Sequence, residues 1–379
     1  MALRDSLANY FGFEEHGTTL RTEMLAGLTT FLTMSYIVVV NPSILVGIPG
    51  EKPGIVVAGY GPGEVQSMLA VVTIIAAATA TLIMALYANR PFGQAPGLGL
   101  NAFFAFTVVG ALGIPWQTAL AAVVVEGIVF IALTAIGARE YIIRAFPEPV
   151  KFAVGTGIGL FLAIIGLQAM GIVVDDPATL ITLGAVASDP VAIVSVVGLL
   201  FTFALYARGI RGSIILGIVG TTVLGWVVAN AGLVGGDAAG RLVAGAPGAT
   251  YDITPLAGAF VAGVADVEAF TFALVVFTFF FVDFFDTAGT LTGVAQIAGF
   301  LDEKGNLPDI DKPLMADAVG TTVGGMLGTS TVTTYIESAS GVEEGGRTGM
   351  TALVVALLFL ASLAVVPLAA AIPLYASHI

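Results

Sequence analysis

Apolar runs close to 20 residues long recur along this chain, and few folds can accommodate them. They fall at about 24–46, 66–87, 93–112, 116–137, 149–172, 190–207, 211–231, 267–291, 314–328, 329–341 and 350–372. A helix needs about 20 apolar residues to cross the hydrocarbon of a bilayer. Inside lipid, only helices and closed barrels satisfy their own backbone polar groups. With 57% hydrophobic residues, 10% charged residues and a mean hydropathy of +1.00, the chain cannot cover itself with a solvated surface. The reading is an all-α polytopic membrane protein of eleven spans.

The basic residues orient it. Alternating crossings place Arg4, Arg21, Arg90, Arg139, Arg144, Lys151, Arg208, Arg211, Lys304, Lys312 and Arg347 on the N-terminal side, and only Lys52 and Arg241 opposite. Cytoplasmic loops carry the excess of Lys and Arg, so the N-terminus is expected in the cytoplasm. A net charge of −13 argues against nucleic acid as a partner. The chain has no cysteine, and its two histidines, His16 and His378, lie near the ends. That excludes disulfides, thiolate metal sites and cysteine nucleophiles. No metalloprotease, P-loop or dinucleotide motif is present, so neither a metal nor a cofactor is expected. "GTGIGLF" (Gly155 to Phe161) has the wrong glycine spacing for a nucleotide loop and reads as small-residue helix packing.

Two spans are interrupted. "FGQAPGLGLNAFFAF" (Phe92 to Phe106) and "GTSTVTTYIESASG" (Gly328 to Gly341) are short, rich in Gly or Ser/Thr, and poor in long aliphatics. Such segments in corresponding places of two halves point to a transporter's mid-membrane site. They are the third and tenth spans, seven apart, and the first and eighth fit the same seven-span inverted repeat. Two such repeats need fourteen spans, and this chain stops after eleven.

Ionisable groups within spans are costly and face a bundle interior or a cavity. Asp283 and Asp286 lie three residues apart in the eighth span, on roughly one helical face continued by Thr287 and Thr290. Glu337 lies in the tenth span among Thr331, Thr333, Thr334, Ser338 and Ser340, and Asn101 holds the matching place in the third. The plain alternative for an intramembrane carboxylate is a hydrogen bond to a neighbouring helix, and Glu126 in the fourth span reads first as such a structural partner. The phenylalanines read as packing or lipid-facing residues, with one or two free to stack on a flat ligand. Carboxylates accept from N–H edges, while an Asn both donates and accepts. That set suits a neutral planar heterocycle. A carboxyl group in low dielectric also holds a proton more readily than in water, so the aspartates read as a substrate and proton station.

Two other classes fit less well. An anion channel or exchanger on a similar inverted-repeat fold would want cationic groups at mid-span, and none is there. An intramembrane aspartyl protease would need its aspartates on separate helices, so the chain is not read as an enzyme.

The motifs "FVDFFDTAGTL", "APGLGLNAFFAF" and "TSTVTTYIESASGVEEGGRTG", with the lead-in "YFGFEEHGTTLRTEMLAGLTTFLTMSYIVVVNP", closely resemble the AzgA-like adenine/guanine/hypoxanthine permeases. These belong to nucleobase–cation symporter family 2, within the nucleobase–ascorbate transporter superfamily. The resemblance runs over essentially the whole chain. It implies a seven-plus-seven inverted-repeat transporter fold, here with about eleven of fourteen spans. It divides the chain into a first core half (1–140), a first gate half (141–265) and a second core half (266–379), with the second gate half apparently absent. It implies purine import across the plasma membrane by proton symport, in a carrier that is often a homodimer. Substrate would meet Asp286, Glu337 and Asn101, with Thr290 and Thr334 beside them, and the proton would use Asp286, Glu337 and Asp283. The preferred base stays open, as does the coupling ion between H⁺ and Na⁺. A xanthine/uracil permease and a non-transporting truncated homologue are the nearest alternatives.

Overall fold

The computed structural model describes residues 2–139, 141, 148–243, 250–264, 268–303 and 306–379. Arg144 and Lys304, counted in the charge pattern, and the 265/266 division lie outside the described residues. In chain order the helices of the first part are α1 (Ala2–Phe11), α2 (Leu20–Met34), α3 (Ile37–Leu45) and α4 (Pro62–Ile83, continued by a π-helical turn Met84–Ala88). Strand β1 (Gln94–Pro96) leads into α5 (Leu98–Ala102), which runs on with π-helical winding over Phe103–Ala111. Then come α6 (Trp116–Ala135), α7 (Glu148–Ala169), the hairpin β2 (Val173–Asp176) and β3 (Leu180–Leu183), α8 (Pro190–Ala207), α9 (Ser213–Asn230), α10 (Asp237–Leu242) and α11 (Phe260–Gly263). The last part holds α12 (Ala269–Ala298), α13 (Asp311–Leu327), β4 (Val332–Thr334), α14 (Ser338–Glu343), α15 (Gly349–Ala361), α16 (Val366–Ala370) and α17 (Leu374–Ser377).

Among the described residues, seven helical stretches are long and apolar enough to cross a membrane. Polar caps mark where several of them begin. The Glu64 carboxylate accepts from Gly61 N at 2.8 Å ahead of Pro62, and Asp189 accepts from Val191 N at 3.0 Å ahead of Pro190. Glu268 accepts from Phe270 N and Thr271 N at 3.2 and 2.7 Å. These satisfy first-turn N–H groups that have no partner within the helix. The eighth span runs seven residues beyond its expected end at 291, to Ala298, where Gly299 closes it in a left-handed conformation at φ 69°.

The third and tenth spans depart from an all-helical reading. Each opens as an extended segment, and the two pair antiparallel with Gln94 opposite Thr334, Ala95 opposite Thr333 and Pro96 opposite Val332. Backbone groups freed from helix at this depth are thus satisfied within protein. Matching threonines brace the pair from both sides. Thr81 of α4 donates to Gln94 O at 3.0 Å, and Thr321 of α13 donates to Val332 O at 2.8 Å. These helices are the second and ninth spans, seven apart like the strands they hold, so the inverted repeat is visible in single hydrogen bonds.

Around this crossing, α13 packs on α4 and α6, and α15 on α2 and α4. Glycines bring the axes close: a Cβ on Gly325 would meet Val124 at 2.8 Å, and one on Gly27 would meet Thr351 O at 2.7 Å. Helices α8 and α9 pack chiefly on each other through a reciprocal contact, Gly198 against Thr221 and Gly217 against Thr202. Their outer faces, including Leu200, Phe203, Val223 and Val227, are exposed, as suits contact with lipid.

Candidate functional site

Beside the strand pair lies a cavity of about 190 Å³. Its polar wall is Asp286 and Thr290 from α12, Thr333 and Thr334 from β4, Glu337 just before α14, and the hydroxyphenyl rings of Tyr36 and Tyr335. Its apolar wall is Leu98 from the first turn of α5 with Ile158 and Leu162 from α7. Gly97 makes the turn from β1 into α5 with its N–H bonded to Thr331 O at 2.9 Å. A Cβ there would lie 2.9 Å from the Thr333 methyl and 3.8 Å from Asp286 Oδ2. Only a residue without a side chain lets strand, threonine and carboxylate converge so closely.

Two tyrosines hold the tenth-span segment in shape. Tyr36, at the break between α2 and α3, donates to Glu337 Oε1 at 2.5 Å. Tyr335 donates to Pro96 O at 2.5 Å, tying one interrupted span to the other. Both rings are nearly fully buried. Glu337 and Asp286 remain half-buried, with carboxylates open to the cavity.

Of the residues expected from sequence, Asp286, Glu337, Thr290 and Thr334 come together here. Asp283 and Asn101 do not line the cavity. Three residues cover about 300° of helix rotation, which leaves the two aspartates about 60° apart in direction. Helix α12 uses that angle to split its polar residues. Asp286 and Thr290 form one i,i+4 pair on the cavity, while Asp283 and Thr287 form a second pair, fully buried behind it. Asn101 lies within α5, fully buried, with neither amide atom hydrogen-bonded. Among the described residues no phenylalanine lines the cavity, and the aromatic surface there is that of the tyrosines.

Behind the cavity is a buried polar network that sequence reasoning largely missed. Arg139, read as a loop cation, is fully buried and donates to Asp317 Oδ2 at 2.7 Å and to Leu314 O at 3.0 Å. Its guanidinium carbon stands 3.9 Å from the centre of the Phe130 ring. Charge on a long side chain just past a helix end looks solvated in sequence, but here Asp317 draws it inward. Asp317 was open to the rule that singled out Glu126, an ionisable residue inside an apolar span. Tyr36 offered only a weak signal, a Ser-Tyr step inside the first apolar run.

This architecture defines an inverted-repeat membrane transporter fold with a small, two-carboxylate cavity at the crossing of its interrupted spans. The structure aligns with the transmembrane domain of a cyanobacterium bicarbonate transporter, BicA, at a TM-score of 0.67 and 14% identity, covering 95% of this chain and 86% of that one. It aligns with SLC26A9 at a TM-score of 0.56 and 12% identity, covering 94% of this chain and 56% of that one. At such identities the likeness is one of fold.

A family model described as "Permease family", that of the xanthine/uracil permeases, matches residues 21–378. The chain belongs to this family, the nucleobase–ascorbate transporters. It is similar to the adenine permease AdeP of Escherichia coli, 40% identical over 98% of this chain and 77% of that protein. It is also similar to the guanine/hypoxanthine permease PbuG of Bacillus subtilis, 39% identical over 93% of this chain and 77% of that one.

Proposed function

We propose that this permease carries purine nucleobases across the plasma membrane by proton symport, with its N-terminus in the cytoplasm. The observation that carries the reading is the placing of two carboxylates, Asp286 and Glu337, on one small cavity whose lining also includes Leu98, Ile158 and Leu162. Apolar walls favour the face of a ring, and two carboxylates favour a ring that presents N–H groups at its edge. The cavity, about 190 Å³, is large enough to take a fused bicyclic base. The bases named for the two relatives, adenine for one and guanine and hypoxanthine for the other, are of this chemistry.

An anion carrier is the second reading, suggested by the fold of the bicarbonate transporter. The cavity argues against it, since among the described residues no Lys or Arg lines it. In the proposed cycle the segments 1–140 and 266–379 form the core and 141–265 the first half of the gate against which that core moves.

Uptake tests the reading. Cells lacking their own nucleobase permeases, expressing this chain, take up labelled adenine, guanine, hypoxanthine or uracil at two external pH values. Saturable purine uptake that rises with acidity supports proton-coupled import. Purine uptake indifferent to pH removes the proton from the account. A membrane-inserted protein that neither transports nor binds any purine overturns the substrate class.

A further inference from the structure

The network behind the cavity holds more acceptors than donors. Glu126, Asp283, Asp317 and Arg139 are all fully buried, three carboxyl groups against one guanidinium. Arg139 serves Asp317 Oδ2, and Thr331 Oγ1 donates to Glu126 Oε2 at 3.0 Å. The backbone N–H of Thr334 faces Asp317. The single proton of the Thr287 hydroxyl faces two carboxyl acceptors, Asp283 Oδ1 at 3.2 Å and Asp317 Oδ1 at 3.1 Å, and the Thr287 and Thr333 hydroxyls share a bond of 2.9 Å that either can donate. Two carboxyl oxygens have no donor, Asp283 Oδ2 and Glu126 Oε1. Their carboxyl groups lie within hydrogen-bonding reach of each other. Two carboxyl groups this close and away from water, both ionised and each with an unpartnered oxygen, would carry an uncompensated cost of several kcal/mol. One proton placed between them turns two orphaned acceptors into one hydrogen bond.

We propose that Glu126 and Asp283 form a carboxyl pair that shares one proton, a buried proton store connected to the substrate cavity through the hydroxyls of Thr287 and Thr333. The existence of the pair stands by itself, while its use in transport rests on the symport reading. Thr333 lines the cavity beside Asp286, its hydroxyl within hydrogen-bonding reach of that carboxyl group. In discharge, the Asp283 carboxyl turns its protonated oxygen toward Thr287 and gives the proton to the Thr287 oxygen, while Thr287 passes its own to Thr333 and Thr333 passes its own to Asp286. Three O–H bonds break and three form, so one proton moves to Asp286 and the pair is left as two carboxylates. Asp317, fixed by Arg139, is the resting acceptor for the Thr287 hydroxyl, which turns to Thr333 for the transfer. The other charged group facing the cavity end is Glu337.

The test is the infrared spectrum of the purified chain at neutral pH, in light and heavy water. The wild type shows a deuterium-sensitive carboxylic-acid carbonyl band. Glu126→Gln and Asp283→Asn each lose the same component of it, and the double variant loses no more than either single one. Non-additivity is the signature of one proton on two groups. A wild-type spectrum with no carboxylic-acid band overturns the proposal even if a variant fails to fold. A component that survives in either folded single variant also overturns it. In proteoliposomes, Glu126→Gln loses purine accumulation driven by a pH gradient. A wild type that transports purine without regard to the gradient overturns the symport reading and leaves the infrared result standing.

Discussion

Tyr36 and Glu337 are 301 residues apart in the chain and meet in a hydrogen bond of 2.5 Å from phenol hydroxyl to carboxylate Oε1. The bond joins the break in the first span to the interrupted tenth span, and both partners line the same cavity. It sets which way the Glu337 carboxylate faces before any substrate arrives. A hydrogen bond to a charged group contributes about 1.5–3 kcal/mol, so Tyr36→Phe is expected to weaken purine binding by roughly tenfold while the protein still folds. Equilibrium binding to the purified variant, alongside its thermal unfolding, checks both halves of that statement.

Gly97→Ala tests the closeness of strand and helix. The new methyl would stand 2.9 Å from the Thr333 methyl and 3.3 Å from Leu100 Cδ1. Overpacking of this kind costs about 1–3 kcal/mol, and the displacement falls on the threonine beside Asp286. Purine affinity is expected to drop by an order of magnitude, since small misplacements at a site are felt strongly. The measurement is a binding titration on membranes matched for protein content.

Glu23 caps a helix to which it does not belong. Its carboxylate, fully buried on α2, accepts from Arg347 N at 2.9 Å, Thr348 N at 3.3 Å, Thr351 N at 3.1 Å and Thr351 Oγ1 at 2.6 Å, all at the start of α15. Glu23→Ala leaves these donors buried without an acceptor, at about 1–3 kcal/mol for each group that finds no new partner. The expected outcome is a large fall in unfolding temperature with no change in substrate preference among the molecules that remain folded.

Lys52 supplies a pH dependence outside the spans. Its ammonium donates to Ile44 O at 2.7 Å and Val46 O at 2.5 Å at the end of α3, and burial lowers its pKa from 10.5 to about 7. Between those two values the folded protein binds fewer protons than the unfolded chain, so stability rises with pH across the window. The penalty for charging Lys52 is fully present below about 7. Comparing unfolding temperatures of the wild type and Lys52→Met from neutral to alkaline pH should show a rise in the wild type that the variant lacks.

Much of the frame is legible in the residues. The runs of apolar sequence mark the spans, and the density of Gly, Pro, Ser and Thr in 92–106 and 328–341 singles out the two interrupted ones. That their interruptions close into a strand pair is hidden, because three-residue strands carry no readable period. Asp286 and Glu337 are legible as carboxylates that apolar surroundings would otherwise exclude. The separation of Asp283 from Asp286 is not, since it depends on a rotation of about 60° and on what stands behind the helix. Arg139 and Asp317 are paired across 178 residues of chain, and nothing local in either segment announces the partner.

If Asp286 and Glu337 read a purine from one cavity, calorimetric titration of the purified protein with adenine, guanine and hypoxanthine will register it. The account predicts that the wild type binds at least one of these bases, and that Asp286→Asn and Glu337→Gln each weaken that binding by roughly 10- to 100-fold in a protein that unfolds at close to the wild-type temperature. Affinity left unchanged in both folded variants would contradict it.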